Sequence, residues 1–374
     1  MTEHFFQAYL QGYQPFKPYW NYEDGCVLLG CIRMFRATGD RRYADFVMDY
    51  LSQRIAADGS ITTYPAEQQA LDSFHCSKSL FFAADRSGDP RYEKAIRWQA
   101  AQILTHPRTG SGMLWHKKIY PHQIWLDGIY MAAPFCAAYA KHTGNSRILR
   151  EIGHWFAFLH EHLCDCATGL YYHALDESKS QPWAEPETGR SASFWLRGEG
   201  WFLMALADTL ALLPPQETEI RRQLSALLHN ASVSLLHFRT AEGLFCQVID
   251  KPELPGNYTE TSGSLMAAYA FMRGAALDVL PAAMLKTGAD ILQTIKKDKL
   301  RRTPEGIRLT DICGSAGLGG TECRDGSPAY YLSEPRNDND PKGVGTLMSA
   351  EALLRLSRLM SGQRTEPAGA GTGA

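Results

Sequence analysis

Residues 125–145, WLDGIYMAAPFCAAYAKHTGN, predict a helix that is apolar around most of its circumference. Such a helix is buried on several sides, whereas a surface helix has one apolar stripe. The closing Gly144-Asn145 is typical of a helix C-cap, as are Gly39 and Gly88 at the ends of two similar stretches. Five further apolar stretches, each opening with glycine or small residues, begin at residues 22, 71, 195, 258 and 341. The chain therefore carries six predicted buried helices.

Amphipathic helices separate the buried ones. They have apolar residues at i, i+3 and i+4 and charges on the other face, and they lie at residues 41–55, 89–104, 145–163, 217–238 and 283–297. Each runs into a glycine turn and a short extended element, at residues 57–65, 110–118, 167–176, 241–250 and 304–314. We therefore predict an all-α (α/α)6 barrel, in which six inner helices are ringed by six outer ones. An open α-solenoid would use the same helix pairs.

The chain shows no Pro/Ser-rich linker, so residues 1–360 are predicted to form a single catalytic domain. Residues 361–374, SGQRTEPAGAGTGA, are rich in glycine and alanine and are predicted to be a disordered tail.

The composition limits the classes of binding partner and the compartment that we expect for this protein. The 38 basic and 40 acidic residues give a net charge of -2, which argues against nucleic acid or an anionic membrane as the main partner. No window of 18 apolar residues free of charge occurs, and the first residues lack the pattern of a secretory signal. Nine irregularly spaced cysteines favour free thiols over a disulfide framework. We expect a cytoplasmic enzyme, monomeric or homodimeric.

One patch could bind metal. His160, His162, Cys164 and Cys166 lie within seven residues, but metal sites usually draw ligands from separated segments, and no second such element occurs. A structural role is favoured, and no metal or cofactor is expected. Motifs for phosphate, dinucleotide or metalloprotease chemistry are absent, and the Gly317–Gly320 cluster is interpreted as a flexible segment near the mouth of the barrel.

The heads of the inner helices should meet at one concave end of the ring, the default site. The polar and aromatic residues expected there include Tyr22, Asp72, His116, Lys117, Trp125, Asp127, His173, Trp195 and Arg197. Aromatic rings stack on sugars, carboxylates transfer protons, and arginine with lysine can hold a substrate carboxylate. These residues therefore favour saccharide chemistry.

Structural roles are alternatives for the same residues. Asp127 and Asp72 could equally be helix N-caps, since aspartate is preferred there. The tryptophans could be packing residues, the histidines could sit in turns, and Arg197 could pair with Glu199 or Glu185. The recurrence of Trp-Leu-x-Gly at residues 125–128 and 195–198 favours a site, because caps alone do not require the tryptophan. Burial would raise the pKa of Asp127 and the helix N-terminus would lower it, so the sequence leaves its direction open.

The run from His116 to Met131, HKKIYPHQIWLDGIYM, resembles the signature of the unsaturated rhamnogalacturonyl hydrolases, glycoside hydrolase family 105. Residues 195–201, 260–264 and 342–345 also fit, in order, and the resemblance extends from about residue 22 to residue 356. Family 88, the unsaturated glucuronyl hydrolases, is the nearest neighbour. One departure is Glu199, where many members of family 105 have asparagine.

The resemblance implies an (α/α)6 enzyme that removes a 4,5-dehydro galacturonyl residue from lyase-generated rhamnogalacturonan oligosaccharides by hydrating the C4=C5 bond. It implies that Asp127 is the acid/base, Asp72 the second carboxylate and His173 the residue that places the water. The implied subsite residues are Tyr22, His116, Lys117, Trp125, Trp195 and Arg197. The alternatives are an unsaturated glucuronyl hydrolase, another (α/α)6 glycosidase or a sugar epimerase, and a helical-repeat scaffold without catalysis.

Overall fold

A computed structural model describes residues 1–322 and 324–364. The helices, in chain order, are α1 (Thr2–Gln11), α2 (Tyr22–Thr38), α3 (Arg41–Ser52), α4 (Asp72–Ser77), α5 (Ser79–Ser87), α6 (Pro90–Thr105), α7 (Leu126–Thr143), α8 (Arg147–Leu163), α9 (Leu196–Leu212), α10 (Thr218–Leu236), α11 (Thr261–Ala276), α12 (Ala283–Asp298), α13 (Pro328–Ser333) and α14 (Pro341–Arg364).

The inner ring consists of α2, α4 with α5, α7, α9, α11 and α14. Each of these contacts the next, and α14 packs along α2, so the ring is closed. The predicted (α/α)6 barrel is confirmed, and the open solenoid is excluded by this closing contact. The second inner helix, predicted as one piece, is divided at Lys78. The hydroxyls of Ser77 and Ser79 there bond back to the carbonyls of Ser73 and Cys76, a pattern that bends helices.

The outer helices α3, α6, α8, α10 and α12 follow their inner partners along the chain. The sixth outer position is taken by α1, at the other end of the chain, which the sequence did not reveal. Its Glu3 accepts hydrogen bonds from Tyr43 of α3 (2.8 Å) and Arg355 of α14 (3.0 Å). The N-terminal helix thus covers the seam between the first and last inner helices.

Glycines allow the ring to close. A Cβ on Gly345 of α14 would lie 2.2 Å from the carbonyl oxygen of Cys26 in α2, and a Cβ on Gly30 would lie 2.7 Å from the carbonyl oxygen of Gly345. Atoms cannot approach that closely, so the two helix backbones can meet only where both residues lack a side chain. The predicted C-caps are confirmed, since Gly39, Gly88 and Gly144 all have left-handed backbones.

Short strands join the helix pairs at the end of the barrel where the inner helices begin. They form the antiparallel pairs β1 (Gln123–Trp125) with β2 (Ala174–Asp176), β3 (Leu300–Thr303) with β4 (Gly306–Leu309), and β5 (Ile312–Cys313) with β6 (Arg336–Asn337). The first pair sets Trp125 opposite Ala174, and the amide of Leu126 donates to the carbonyl of His173 (3.0 Å). This strand pair therefore brings residue 173 to the start of α7.

The structure also bears on the predictions about the cysteines, the C-terminal tail and membrane-spanning helices. The eight described cysteines are free, and Cys323 lies outside the described residues. Residues 361–364 of the predicted tail belong to α14, and residues 365–374 lie outside the described part. Within the described residues, no helix combines the length and apolarity needed to cross a bilayer. The cytoplasmic location and the oligomeric state stay predictions.

The histidine and cysteine patch at the end of α8 has structural contacts. His160 Nδ1 lies 2.8 Å from the hydroxyl of Tyr171, and the ring of His162 stacks on Phe158 with centroids 4.0 Å apart. Among the described residues, no group of three or more potential ligands could hold a metal ion.

Candidate active site

Asp127 is joined to a buried histidine. It is the second residue of α7, whose N-cap is Trp125, so it does not cap the helix. Its Oδ2 lies 3.0 Å from Nε2 of His173, and Nδ1 of that histidine lies 2.7 Å from the hydroxyl of Tyr331 in α13. Because an ionised carboxylate can only accept, Nε2 carries the hydrogen in this pair. Tyr331, His173 and Asp127 therefore form a continuous hydrogen-bonded chain.

The structure decides the direction of the Asp127 pKa. Burial acts to raise it, but the hydrogen bond from His173 and the positive charge of the site, including that of Arg197, lower it, and the net pKa lies below the usual value. The carboxyl is thus ionised at neutral pH, while its side chain keeps 15% of its surface exposed to the cleft.

Asp72, the first residue of α4, belongs to a second ionic group. Its Oδ2 lies 2.6 Å from Nζ of Lys117 and its Oδ1 lies 3.8 Å from Nε2 of His116. Burial acts to raise the pKa of Asp72, but Lys117 and His116 lower it overall. Burial lowers the pKa of His116 to about 4, so this ring is neutral at pH 7, and it interacts with both Asp72 and Asp127. His116 therefore links the two carboxylate groups.

Aromatic rings enclose the histidines. Trp125 stacks on His116, with ring centroids 4.3 Å apart and planes within 12°, and Tyr120 stacks on Trp125 at 4.9 Å. Trp195 lies against His173 with centroids 4.6 Å apart, and its other neighbours cover it so completely that only 1% of its surface is exposed. The two tryptophans thus pack against the imidazoles and hold them in place.

Arg197 is held by backbone carbonyls. Its terminal nitrogens donate to the carbonyl oxygens of Cys313 (2.5 Å) and Gly314 (3.0 Å), and its guanidinium lies 4.7 Å from the ring of Trp195. It makes no ion pair with Glu199 or Glu185 among the residues described. Its positive charge nevertheless acts on Asp127, so it serves the site through charge and by fixing the 313–314 loop.

Tyr22 completes the set of residues that the sequence singled out. It is half-buried, lies edge-on to Trp201 at 6.4 Å, and interacts electrostatically with Arg197 and Asp72. All the expected site residues therefore converge at this one end of the barrel.

Three residues gain roles that local sequence reasoning missed. Tyr331 reaches His173 from 158 residues away, and no spacing pattern announces it. Glu260 caps α11 and also accepts the amide of Cys313 (3.0 Å), which fixes the loop that holds Arg197. Arg324 donates to the carbonyl of Gly319 and to the hydroxyl of Tyr120 (3.0 Å), so the Gly317–Gly320 segment does lie beside the site.

The closed ring of six helix pairs is an (α/α)6 barrel, and it carries two carboxylates, two histidines and two tryptophans at its mouth, a set suited to saccharide chemistry. The family model described as Glycosyl Hydrolase Family 88 matches residues 1–356. The chain therefore belongs to Glycosyl Hydrolase Family 88 and is a glycoside hydrolase.

Individual relatives agree with this assignment. A solved structure described as a glycoside hydrolase from family 105 of C. acetobutylicum is 39% identical, has a TM-score of 0.91, and is matched over 95% of this chain and 99% of that chain. Protein Atu3128 of Agrobacterium fabrum is 40% identical over 60% of this chain and 99% of its own length. The unsaturated rhamnogalacturonyl hydrolase YesR of Bacillus subtilis is 24% identical over 75% of this chain and 77% of its own. The resemblance to family 105 is thus confirmed.

Proposed function

We propose that this enzyme removes the 4,5-dehydro galacturonyl residue from the non-reducing end of lyase-generated rhamnogalacturonan oligosaccharides. The observation that carries the proposal is the chain from Tyr331 through His173 to Asp127, set beside the ion pair of Asp72 and Lys117. It offers one carboxylate poised for proton transfer and another that is locked by a cation. The name of the YesR relative supports the choice of substrate.

Asp127 is the proposed proton donor and acceptor. It is ionised in the free enzyme, and the carboxylate of an incoming uronate adds negative charge that raises its pKa, so it can take up a proton on binding. It passes this proton to C4 of the enol ether, and the resulting oxocarbenium-like ion is stabilised by the ring oxygen. Water then adds at C5 and returns a proton to Asp127. The hemiketal formed opens and releases the neighbouring sugar.

Asp72 and His173 have supporting roles in this scheme. The ammonium group of Lys117 holds Asp72 ionised, so Asp72 supplies a fixed negative charge that stabilises the developing cation. His173 is fixed by Tyr331 and donates to Asp127, so it orients the carboxylate and the water that attacks.

The test follows the loss of enol-ether absorbance on a panel of lyase products. We expect activity on unsaturated galacturonyl-rhamnose and a fall of about 10²–10⁴-fold in Asp127→Asn, the usual range for loss of a general acid/base. Asp45→Asn, an exposed aspartate of α3, is the matched control and should keep full activity. If Asp127→Asn keeps most of its rate, the site assignment is wrong.

The same panel separates the alternatives. Turnover of unsaturated glucuronyl products alone would contradict the proposed substrate and leave the hydration chemistry in place. Cleavage of saturated oligosaccharides would indicate a direct displacement at the anomeric carbon by two carboxyl groups, and would contradict both.

A further inference from the structure

A second cavity lies on the barrel axis at the end opposite to Asp127. Its volume is about 250 Å³, and all six inner helices contribute to its wall. A polar layer forms its floor, where Asp208 accepts from Arg33 (2.5 Å), Tyr269 (2.6 Å) and Tyr130 (3.1 Å). This layer belongs to neither the proposed catalytic chain nor the sugar subsite.

The cavity holds more positive than negative charge. Four basic side chains line it, with Asp208 as the one carboxylate of the lining, and these are Arg33, Arg36, Lys78 and Arg273. Arg33 is neutralised by Asp208, and Lys78 donates to the carbonyl of Tyr130 (2.7 Å). The side chains of Arg36 and Arg273 make no ion pair and no hydrogen bond to any residue in the described part of the chain.

The two unpaired guanidiniums line the same cavity. Burial lowers the pKa of Arg36, the charges of Arg33 and Arg273 lower it further, and the charge of Asp85 opposes them. The Nε–H of Arg273 is buried and has no acceptor. Helix C-termini carry partial negative charge, which explains why cations gather here, yet neither guanidinium donates to the carbonyls that carry it. Arg36 is exposed and its donors face solvent, whereas the Nε–H of Arg273 is a buried donor without an acceptor, which is unfavourable.

The remaining wall is apolar and comes from side chains such as Phe81, Phe82, Leu353 and Leu356. A planar carboxylate matches the fork of a guanidinium, and a hydrocarbon body matches this wall. A sugar would place hydroxyls against it, and inorganic phosphate would leave it without contact.

We infer that this cavity binds a small organic carboxylate with an apolar body. The carboxylate would be shared between Arg36 and Arg273, and the body would lie against Phe81 and Leu353. The site is separate from the catalytic end, so binding here does not depend on the identity of the saccharide substrate.

The test is titration calorimetry of the full chain with hexanoate, with 1-hexanol as the uncharged match and inorganic phosphate as the anion without an apolar body. We expect hexanoate to bind more tightly than either. Arg273→Gln should raise its dissociation constant by at least about tenfold, since hydrogen bonds to charged groups contribute that much. Arg150→Gln, at an exposed arginine of α8, is the control and should leave binding unchanged.

Two further measurements distinguish a loss of hexanoate binding from poor folding of a variant. Glycosidase activity and melting temperature report whether Arg273→Gln is folded. In the wild type, hexanoate should shift the NMR resonance of the Arg273 Nε–H, because that donor gains an acceptor. Absence of hexanoate binding, equal binding of 1-hexanol, or binding of phosphate alone would overturn the inference.

Discussion

Glu199 provides a quantitative prediction about stability and pH. It lies in the first turn of α9, fully buried, where Oε2 accepts the amide of Tyr171 (2.9 Å) and Oε1 has no partner. Burial raises its pKa to about 8, against a slight lowering by the bond from Tyr171. The native state therefore keeps a proton that the unfolded chain releases near pH 4.5, so stability falls as the pH rises from about 4.5 to 8.

The size of this effect follows from the two pKa values. Each pKa unit corresponds to about 1.4 kcal/mol, so the loss across the window is about 5 kcal/mol at most. Glu199→Gln mimics the protonated acid and cannot lose a proton. We expect it to be nearly neutral at pH 5 and to be more stable than the wild type by several kcal/mol at pH 8.

Urea unfolding of both proteins at pH 5 and pH 8 measures this difference. Glu161→Gln, at an exposed position of α8, is the matched control, and its stability relative to the wild type should not change with pH. An equal free-energy change for Glu199→Gln at the two pH values would show that the buried carboxyl is ionised throughout, and the reasoning would fail.

Two more predictions concern the catalytic chain and the closure of the ring. Tyr331→Phe removes the hydroxyl that bonds Nδ1 of the buried His173, so kcat/KM should fall about tenfold and its pH profile should move. The control is Tyr92→Phe, which removes a buried hydroxyl without a partner and should change neither kcat/KM nor the pH profile. An unaltered pH profile in Tyr331→Phe would contradict the role of the chain. Gly345→Ala places a Cβ against the backbone of α2 and should lower the free energy of unfolding by about 1–3 kcal/mol. In Gly153→Ala the new Cβ meets only ordinary contacts, so this control should raise the free energy of unfolding by up to about 1 kcal/mol. Equal effects of the two alanines in urea unfolding would argue against a tight seam.

Much of the candidate site was predictable because its residues open helices. Asp72 and Asp127 occur at the heads of apolar stretches, and the heads of neighbouring inner helices must meet at one end of a ring. The hydrogen-bonding partners of the site residues could not be predicted from the sequence. A nearby glutamate was the structural alternative for Arg197 in the sequence, yet Arg197 bonds carbonyls more than 100 residues away, at Cys313 and Gly314.

The sequence also leaves open whether Asp127 and Asp72 cap their helices or take part in the chemistry of the site. Aspartate at a helix start fits both roles in sequence. Only the folded chain shows that Asp127 faces His173 and that Asp72 faces Lys117. The ionisation of these groups depends on burial and on neighbouring charges from other helices, and neither quantity is encoded in a local pattern.

The helices, their order and their buried faces follow from local sequence, since apolar periodicity and glycine caps act within a few residues. The tertiary structure decided how the ring closes, through Gly30 and Gly345, and which helix fills the sixth outer position. It also places Tyr331 in the chain that reaches Asp127, and it leaves the side chains of Arg36 and Arg273 without partners among the described residues. These features arise from contacts between distant segments, whose energies are set by the packing of the whole barrel.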